Sequence, residues 1–351
     1  SMSTGSMPMS YQSATLEAGL TRPDAALQAN LDYLIEFAST VDRTINGHVQ
    51  SGSFYNDLKT MTLTLSTENP TKGVASIVEK ALEQRQLKQN VLNMNWSSAD
   101  THFTLESDEQ LINLYIYDYD KESNRYWVSS IAQNKGDGDV NVAWERGFLM
   151  AKPANQLLST NDVAGKVFMY EPYQGDSVAT RQWYEFNADG TMAYVSTNDA
   201  DNNGIIEENT SDRVRASAGL WKIENGKLEV LRHRQNADFG NSYTCLGGSW
   251  SPTLDDHCVA YARLSLQKLS SSTSERTIFD STFSFFEDAW LRNSGFGDEA
   301  AFSLFHASIS LREFINLESR PVVISNTVFD EAAVQQSKPQ ASQKQLGVEA
   351  R

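Results

Sequence analysis

Two dipeptides constrain this chain more than any other feature. Asp189-Gly190 follows Trp183-Tyr-Glu-Phe186 and precedes Thr191-Met-Ala-Tyr194; Asn225-Gly226 separates Gly219-Leu-Trp221 from Lys227-Leu-Glu-Val-Leu231. Each pair lies between runs in which apolar and polar residues alternate. Asn-Gly and Asp-Gly take up the positive φ that a two-residue hairpin loop requires, so each is read as a hairpin turn. The stretch 163–269 is therefore expected to be an antiparallel meander.

Around that meander the chain reads as α+β. Residues 1–20 are small and polar and expected to be disordered, and their Ser1-Met2 opening reads as the remnant of a cleaved tag. Leu27, Leu31, Leu34, Ile35, Ala38, Val41 and Ile45 repeat at threes and fours between Pro23-Asp24 and Gly47, which predicts a helix. Alternation over Thr60–Leu65 predicts a strand, and Ile77, Ala81, Leu82, Val91 and Leu92 predict one face of a second helix over 74–94. Short strands are expected at His102–Leu105, Leu111–Tyr117, Tyr126–Ile131 and Val140–Met150. These make a helical/β N-terminal domain over 21–160, closed by the polar joint Ser159–Asp162.

The antiparallel β-meander, or small barrel, then occupies 161–270. Phe279, Phe283, Phe286 and Trp290, followed by Phe302, Phe305 and Ile309, predict short helices in a C-terminal segment, 271–330, that packs on the β domain. Pro321–Ile324 reads as a last strand. Residues 331–351, rich in Gln, Ser, Lys and Ala, are expected to be disordered. No internal repeat at a fixed period is evident.

Charge narrows the partners. Against 29 basic residues stand 45 acidic ones, a net charge of -16 spread along the chain. Such a field repels nucleic acid and anionic lipid, whereas divalent cations and neutral sugars remain compatible. No apolar run reaches the roughly 18 residues of a membrane-spanning helix, so no transmembrane span is expected. The chain's 2 cysteines, Cys245 and Cys258, flank Gly247-Gly248 and Pro252. A disulfide clamping that loop would place the protein in an oxidising compartment; two reduced thiols are the alternative.

The run Gly165-Lys-x-Phe168, then Phe186-Asn-Ala-Asp-Gly-Thr191, then Gly219-x-Trp221 with Asn225-Gly226-Lys-Leu228, resembles the lipocalin-like β-meanders of bacterial envelope proteins and lipoproteins. The resemblance covers residues 163–269, and its motifs concern turns and core, not chemistry. It implies a periplasmic, outer-membrane-anchored or secreted location. The acidic insert at 198–212 and the cysteine loop are departures from it.

Of the patterns that could carry chemistry, the most specific is Asp199-Ala-Asp201-Asn-Asn203-Gly204-Ile205-Ile-Glu207. Side-chain oxygens at alternate positions before a glycine form half of a calcium loop, in which Ile205 would offer its carbonyl. Thr210 stands where a bidentate Glu belongs, so Glu207, Glu208 or Asp212 would have to complete the shell. A solvated acidic hairpin tip uses the same residue types. Asp118 with Asp120, and Asp137 with Asp139, are paired carboxylates that suit either acid/base work or solvated turns. Arg232-His-Arg234 suits an anion or a solvated strand end. No two of the five histidines share metal-ligand spacing on one face, and no Gly-x-Ser-x-Gly elbow occurs. Among the aromatics, Trp183, Tyr243 and Trp250 are the candidates for gripping a sugar ring or an apolar ligand, since strict alternation puts Trp183 and Phe186 on opposite faces.

Three functions are compatible with this sequence. The leading one is a non-enzymatic envelope or secreted protein binding a carbohydrate or surface component through meander loops, with no cofactor except possible calcium. The others are a carboxylate-dependent hydrolase acting on a polysaccharide, with acids from Asp118, Asp120, Asp137 or Asp139, and a structural module of a larger surface assembly.

Overall fold

The computed structural model describes residues 32–38, 42–45, 48–51, 59–69, 72–83, 86–98, 102–120, 125–136, 142–207, 211–233, 260–286 and 304–324. Two compact units emerge: residues 1–81 with 87–153, and residues 82–86 with 154–351.

In the first unit, β1 (Asp32–Ala38) is followed by a small hairpin of β2 (Asp42–Ile45) and β3 (His48–Ser51). A meander then runs through β4 (Lys59–Asn69), β5 (Lys72–Glu83), β6 (Gln86–Ser98), β7 (Phe103–Glu106), β8 (Gln110–Asp120), β9 (Arg125–Asn134) and β10 (Val142–Ala151). Strand β1 pairs antiparallel with both β4 and β10, and the barrel closes. Alternate residues fill it: Ala75, Met94, Trp96, Phe103, Leu105, Leu114, Ile116, Tyr126, Val128 and Leu149 form one buried cluster.

The second unit repeats the plan. After the short β11 (Asn155–Gln156) and a 3-10 turn at Thr160–Asp162 come β12 (Val167–Tyr170), β13 (Gln182–Phe186), β14 (Thr191–Asn198) and β15 (Arg213–Glu224). They continue into β16 (Lys227–His233), β17 (Ala260–Leu269), β18 (Arg276–Phe286) and β19 (Leu304–Leu317). Each pairs antiparallel with the next, and β19 returns to β12, so eight strands complete a circuit to which β11 adds at β17. The result is a β-rich, lipocalin-like fold.

The α+β expectation is thus wrong. Among the described residues there is no α-helix. Of the residues placed in the first helix, Leu34, Ile35, Ala38 and Ile45 lie in β1 and β2, and those of the second lie in β5 and β6. Of the C-terminal helices, Phe279, Phe283 and Phe286 lie in β18 and Phe305 and Ile309 in β19, while Leu27, Leu31, Val41, Trp290 and Phe302 lie outside the described residues. The cause is a spacing shared by both periods. Positions i and i+4 face the same way on a helix and on a strand, so Phe279 and Phe283 line one face of β18 and are both buried. Over 72–76 and 93–97 burial follows the two-residue period of a strand. Pro321–Ile324 is not a strand either; it is an irregular segment whose Val322 is buried. The expected disorder of 1–20 and 331–351 lies outside the described residues.

Both glycine turns are hairpin turns, by different means. At Asn225-Gly226 both residues have positive φ, 52° and 75°, the two-residue type I′ loop that matches strand twist. At Asp189-Gly190 only the glycine does, with φ of 90°. The Asn187 N–H donates to the Thr191 carbonyl at 2.9 Å and Gly190 N–H to the Asn187 carbonyl at 3.1 Å, a longer loop whose glycine forms the bulge. Asp189 stabilises it by accepting from the Thr191 N–H at 2.9 Å and hydroxyl at 2.6 Å. Trp221 joins the two hairpins. Its indole N–H donates to the Asn187 carbonyl at 2.7 Å and its ring meets Phe186 edge-on at 5.9 Å.

Candidate functional site

Strand order gives the second barrel two unlike ends. At one, β13–β14, β15–β16 and β17–β18 turn within 187–190, 225–226 and 270–275. The four connections at the other end, 171–181, 199–212, 234–259 and 287–303, are all longer. Long connections are where binding residues collect on a rigid scaffold.

Inside, the barrel is graded. Toward the tight turns Phe168, Phe186, Phe279, Phe314 and Trp221 make a packed aromatic floor, Phe168 lying 5.4–6.0 Å from three of those rings. Toward the long connections lies a polar layer of three tyrosines: Tyr184 is 6.0 Å from Tyr170 and 4.9 Å from Tyr194. The Tyr194 hydroxyl donates to Gln182 Oε1 at 2.8 Å. Two buried arginines complete the layer. Arg232 holds its guanidinium 4.2 Å from the Tyr194 ring centre; Arg312 donates through Nη1 to the Tyr170 hydroxyl and through Nε to Ser281 Oγ at 3.1 Å. The Tyr184 hydroxyl, in a residue only 2 % exposed, has no hydrogen-bond partner among the described residues.

Outside the barrel wall the loops 171–181 and 199–207 and the segment 319–324 cover the outward faces of β12–β15. Val167, Met169, Trp183, Ala193, Val195, Val214 and Ala216 pack there against Ala179, Ile206 and Val322. Alternation does set Trp183 and Phe186 on opposite faces, but both faces are covered. Trp183 is fully buried, its indole N–H bonded to Glu185 Oε2 at 3.1 Å, so it offers no face to a ligand. Tyr243, Trp250, Cys245 and Cys258 lie outside the described residues, as do Asp137 and Asp139.

The acidic loop is built around buried Asp199 and Asp212. Asp199 accepts from Ser177 Oγ, from Gly204 N–H at 2.7 Å and from Asn203 N–H at 3.3 Å. Asp212 accepts from Ala200 N–H and Glu207 N–H, each at 2.9 Å, which pins both ends of the loop. Asp201 joins them: one oxygen from each of the three carboxyls lies within 4.8 Å of the others. Asn203 and Glu207 bond to each other, and Asn203 Oδ1 accepts from the Ile205 N–H at 3.2 Å. Of the six candidate calcium ligands, then, three converge. Gly204, with φ of 88°, makes the sharp bend the motif requires.

Electrostatics follow that packing. Burial raises the Asp199 carboxyl, but bonds from Ser177, Gly204, Asp201 and Asn203 outweigh it and hold it below the usual carboxylate range. Asp201 is pushed up, first by its hydrogen bond to Asp199 and then by burial and the charge of Asp212. The pair therefore shares a proton more readily than two isolated carboxyls.

On the first barrel Asp118 is exposed and accepts from the Tyr119 N–H at 2.8 Å. Two open depressions of about 470 and 520 Å³ lie there around the turn Glu106–Glu109. Their walls are solvated turn groups, exposed Val74 and Val91 and the edges of Met94 and Trp96, without a buried charge, and nothing there marks a site.

Fold and site together define a class: among the described residues, two antiparallel β-barrels, the second graded from an aromatic floor to a polar layer at the end where its longer connections leave the strands. Compared with family models, with curated proteins and with solved structures, the chain matches none. The polar layer had no signal in the sequence beyond Arg232, because Tyr170, Tyr184 and Arg312 become neighbours only when the circuit closes.

Proposed function

We propose that this chain is a non-enzymatic envelope or secreted protein that binds a ligand, a carbohydrate or another surface component, at the long-connection end of its second barrel. The observation that supports this is the coincidence of two asymmetries: the long connections and the polar interior layer share one end. A barrel that served only as a spacer would need neither. The acidic composition disfavours nucleic acid as the ligand. No helix among the described residues is long and apolar enough to cross a membrane.

Loop shortening tests it. Replacing 200–211 with an Asn-Gly turn should abolish binding of any sugar or organic acid that the wild type captures, with the β-sheet circular dichroism kept. Unchanged binding by the shortened protein would remove the loop end from the account.

A second reading concerns the acidic cluster. Three carboxyls with oxygens within 4.8 Å repel one another once all are ionised, and a divalent cation on Asp199, Asp201 and Asp212 would offset that repulsion. We therefore propose calcium as its occupant, with the fold-stabilising role expected of an ion that binds only the native loop. Millimolar Ca²⁺ should raise the melting temperature of the wild type but not of Asp201→Asn. Equal melting temperatures in Ca²⁺ and in EDTA would discard the ion.

A further inference from the structure

We infer that the ligand carries an oxyanion, and that this group is received by the Tyr184 hydroxyl between Arg232 and Arg312. The inference rests on the ligand-binding reading above and names the chemistry of that site. Its first observation is the Tyr184 hydroxyl itself. Buried polar groups in folded proteins are almost always hydrogen-bonded. This one is sealed in the barrel interior, among the rings of Tyr170, Tyr194, Phe186 and Phe314, with no partner among the described residues. A phenol O–H in that position is a donor held ready.

The second observation is the sign of what surrounds it. In this barrel interior the buried charged side chains among the described residues are both arginines, in a protein whose net charge is -16. Both are fixed in place: Arg232 lies on the Tyr194 ring, and Arg312 is held by Tyr170, Ser281 and the Phe283 ring 5.1 Å away. Arg213 and Arg215 fall on the same alternate positions of β15 as inward-facing Trp221 and are exposed near that end of the strand. Guanidinium groups and a phenol converge on planar or tetrahedral oxyanions, which they bind with charge-assisted hydrogen bonds.

The third is the aromatic floor. Phe168, Phe186, Phe279, Phe314 and Trp221 already fill the lower barrel, so the anion approaches from the opposite end, where Tyr170, Tyr184, Tyr194 and the two arginines lie. A carboxylate on an organic molecule and free phosphate share this chemistry.

Titration calorimetry of the full chain with glucuronate, benzoate, inorganic phosphate and glucose distinguishes them. The expected result is saturable, single-site binding of at least one anion and none of glucose. Binding of phosphate alone assigns the site to the free ion; binding of an organic acid assigns it to a ligand head group. Tyr184→Phe should weaken that binding at least tenfold while the ligand-free variant melts no lower than wild type, since only an unused hydroxyl is removed. The inference is overturned if no anion binds, if Tyr184→Phe binds as tightly as wild type, or if that variant melts lower without ligand. Binding of glucose by wild type and Tyr184→Phe alike would overturn this inference alone and leave the loop-end reading standing.

Discussion

Gly219 shows how tightly the second circuit is wound. It faces Met192 on one side and Arg232 on the other, and an added Cβ would lie 2.2 Å from the Leu231 carbonyl oxygen and 2.7 Å from Met192 Sδ. The first contact is with backbone and cannot be relieved by a rotamer. Gly204 is glycine for a different reason: its φ is 88°, while its nearest Cβ contact, Val178, is an ordinary 3.7 Å away. The two therefore separate steric from conformational cost. Gly219→Ala should lose about 2–4 kcal/mol in urea unfolding, the range of severe core mutations. Gly204→Ala should lose about 1 kcal/mol, the cost of forcing positive φ on alanine. Equal losses would contradict the geometry at Gly219.

At the scale of the element, hairpins were legible in the sequence and helices were misread. The Asn-Gly and Asp-Gly turns act locally, so Gly190 and Gly226 could be placed without knowing the fold. Stretches such as 74–94 could not, because Ala, Glu, Gln, Lys and Leu favour a helix in isolation. What decides their state is the hydrogen-bonding edge that β4 and β7 offer on either side. Only tertiary pairing supplies that, and it overrides intrinsic preference. The outer layer over Trp183 was hidden for the same reason, since nothing in the alternation of β13 announces that loops fold over it.

Trp221 is the element-scale test. Its indole N–H is the side-chain link between the β13–β14 turn and β15, beside the Trp221 backbone N–H that donates to the Gly190 carbonyl at 3.0 Å, and Trp221→Phe removes it from the Asn187 carbonyl. That carbonyl keeps the Gly190 N–H, so a loss of about 0.5–1.5 kcal/mol is expected, the net worth of one hydrogen bond. A variant as stable as wild type would show that packing and the Trp221 backbone bond to Gly190 hold the hairpins without the indole N–H.

At the scale of the whole molecule, one circuit is built twice. In the first unit β1 closes onto β10 after an inserted hairpin; in the second β12 closes onto β19. The sequence shows no repeat because the topology depends on successive hairpins, which many sequences satisfy. What differs is the content. The first barrel's described interior is an apolar cluster, whereas the second carries two arginines and three tyrosines above its aromatic floor. On that difference rests the proposal that binding belongs to the second unit. Of the acidic loop, the bend at Gly204 and the approach of Asp199 to Asp201 follow from the motif, while the choice of Asp212 over Glu207 or Glu208 and the anchoring by Ser177 and Ala200 required the structure.

Amide hydrogen exchange of the full chain, with and without saturating glucuronate, benzoate or phosphate, tests the binding assignment most directly. Slower exchange is predicted in peptides covering 171–184 and 199–207, with no change over 103–120 in the first barrel. Protection confined to 103–120, or no protection anywhere, would contradict the account.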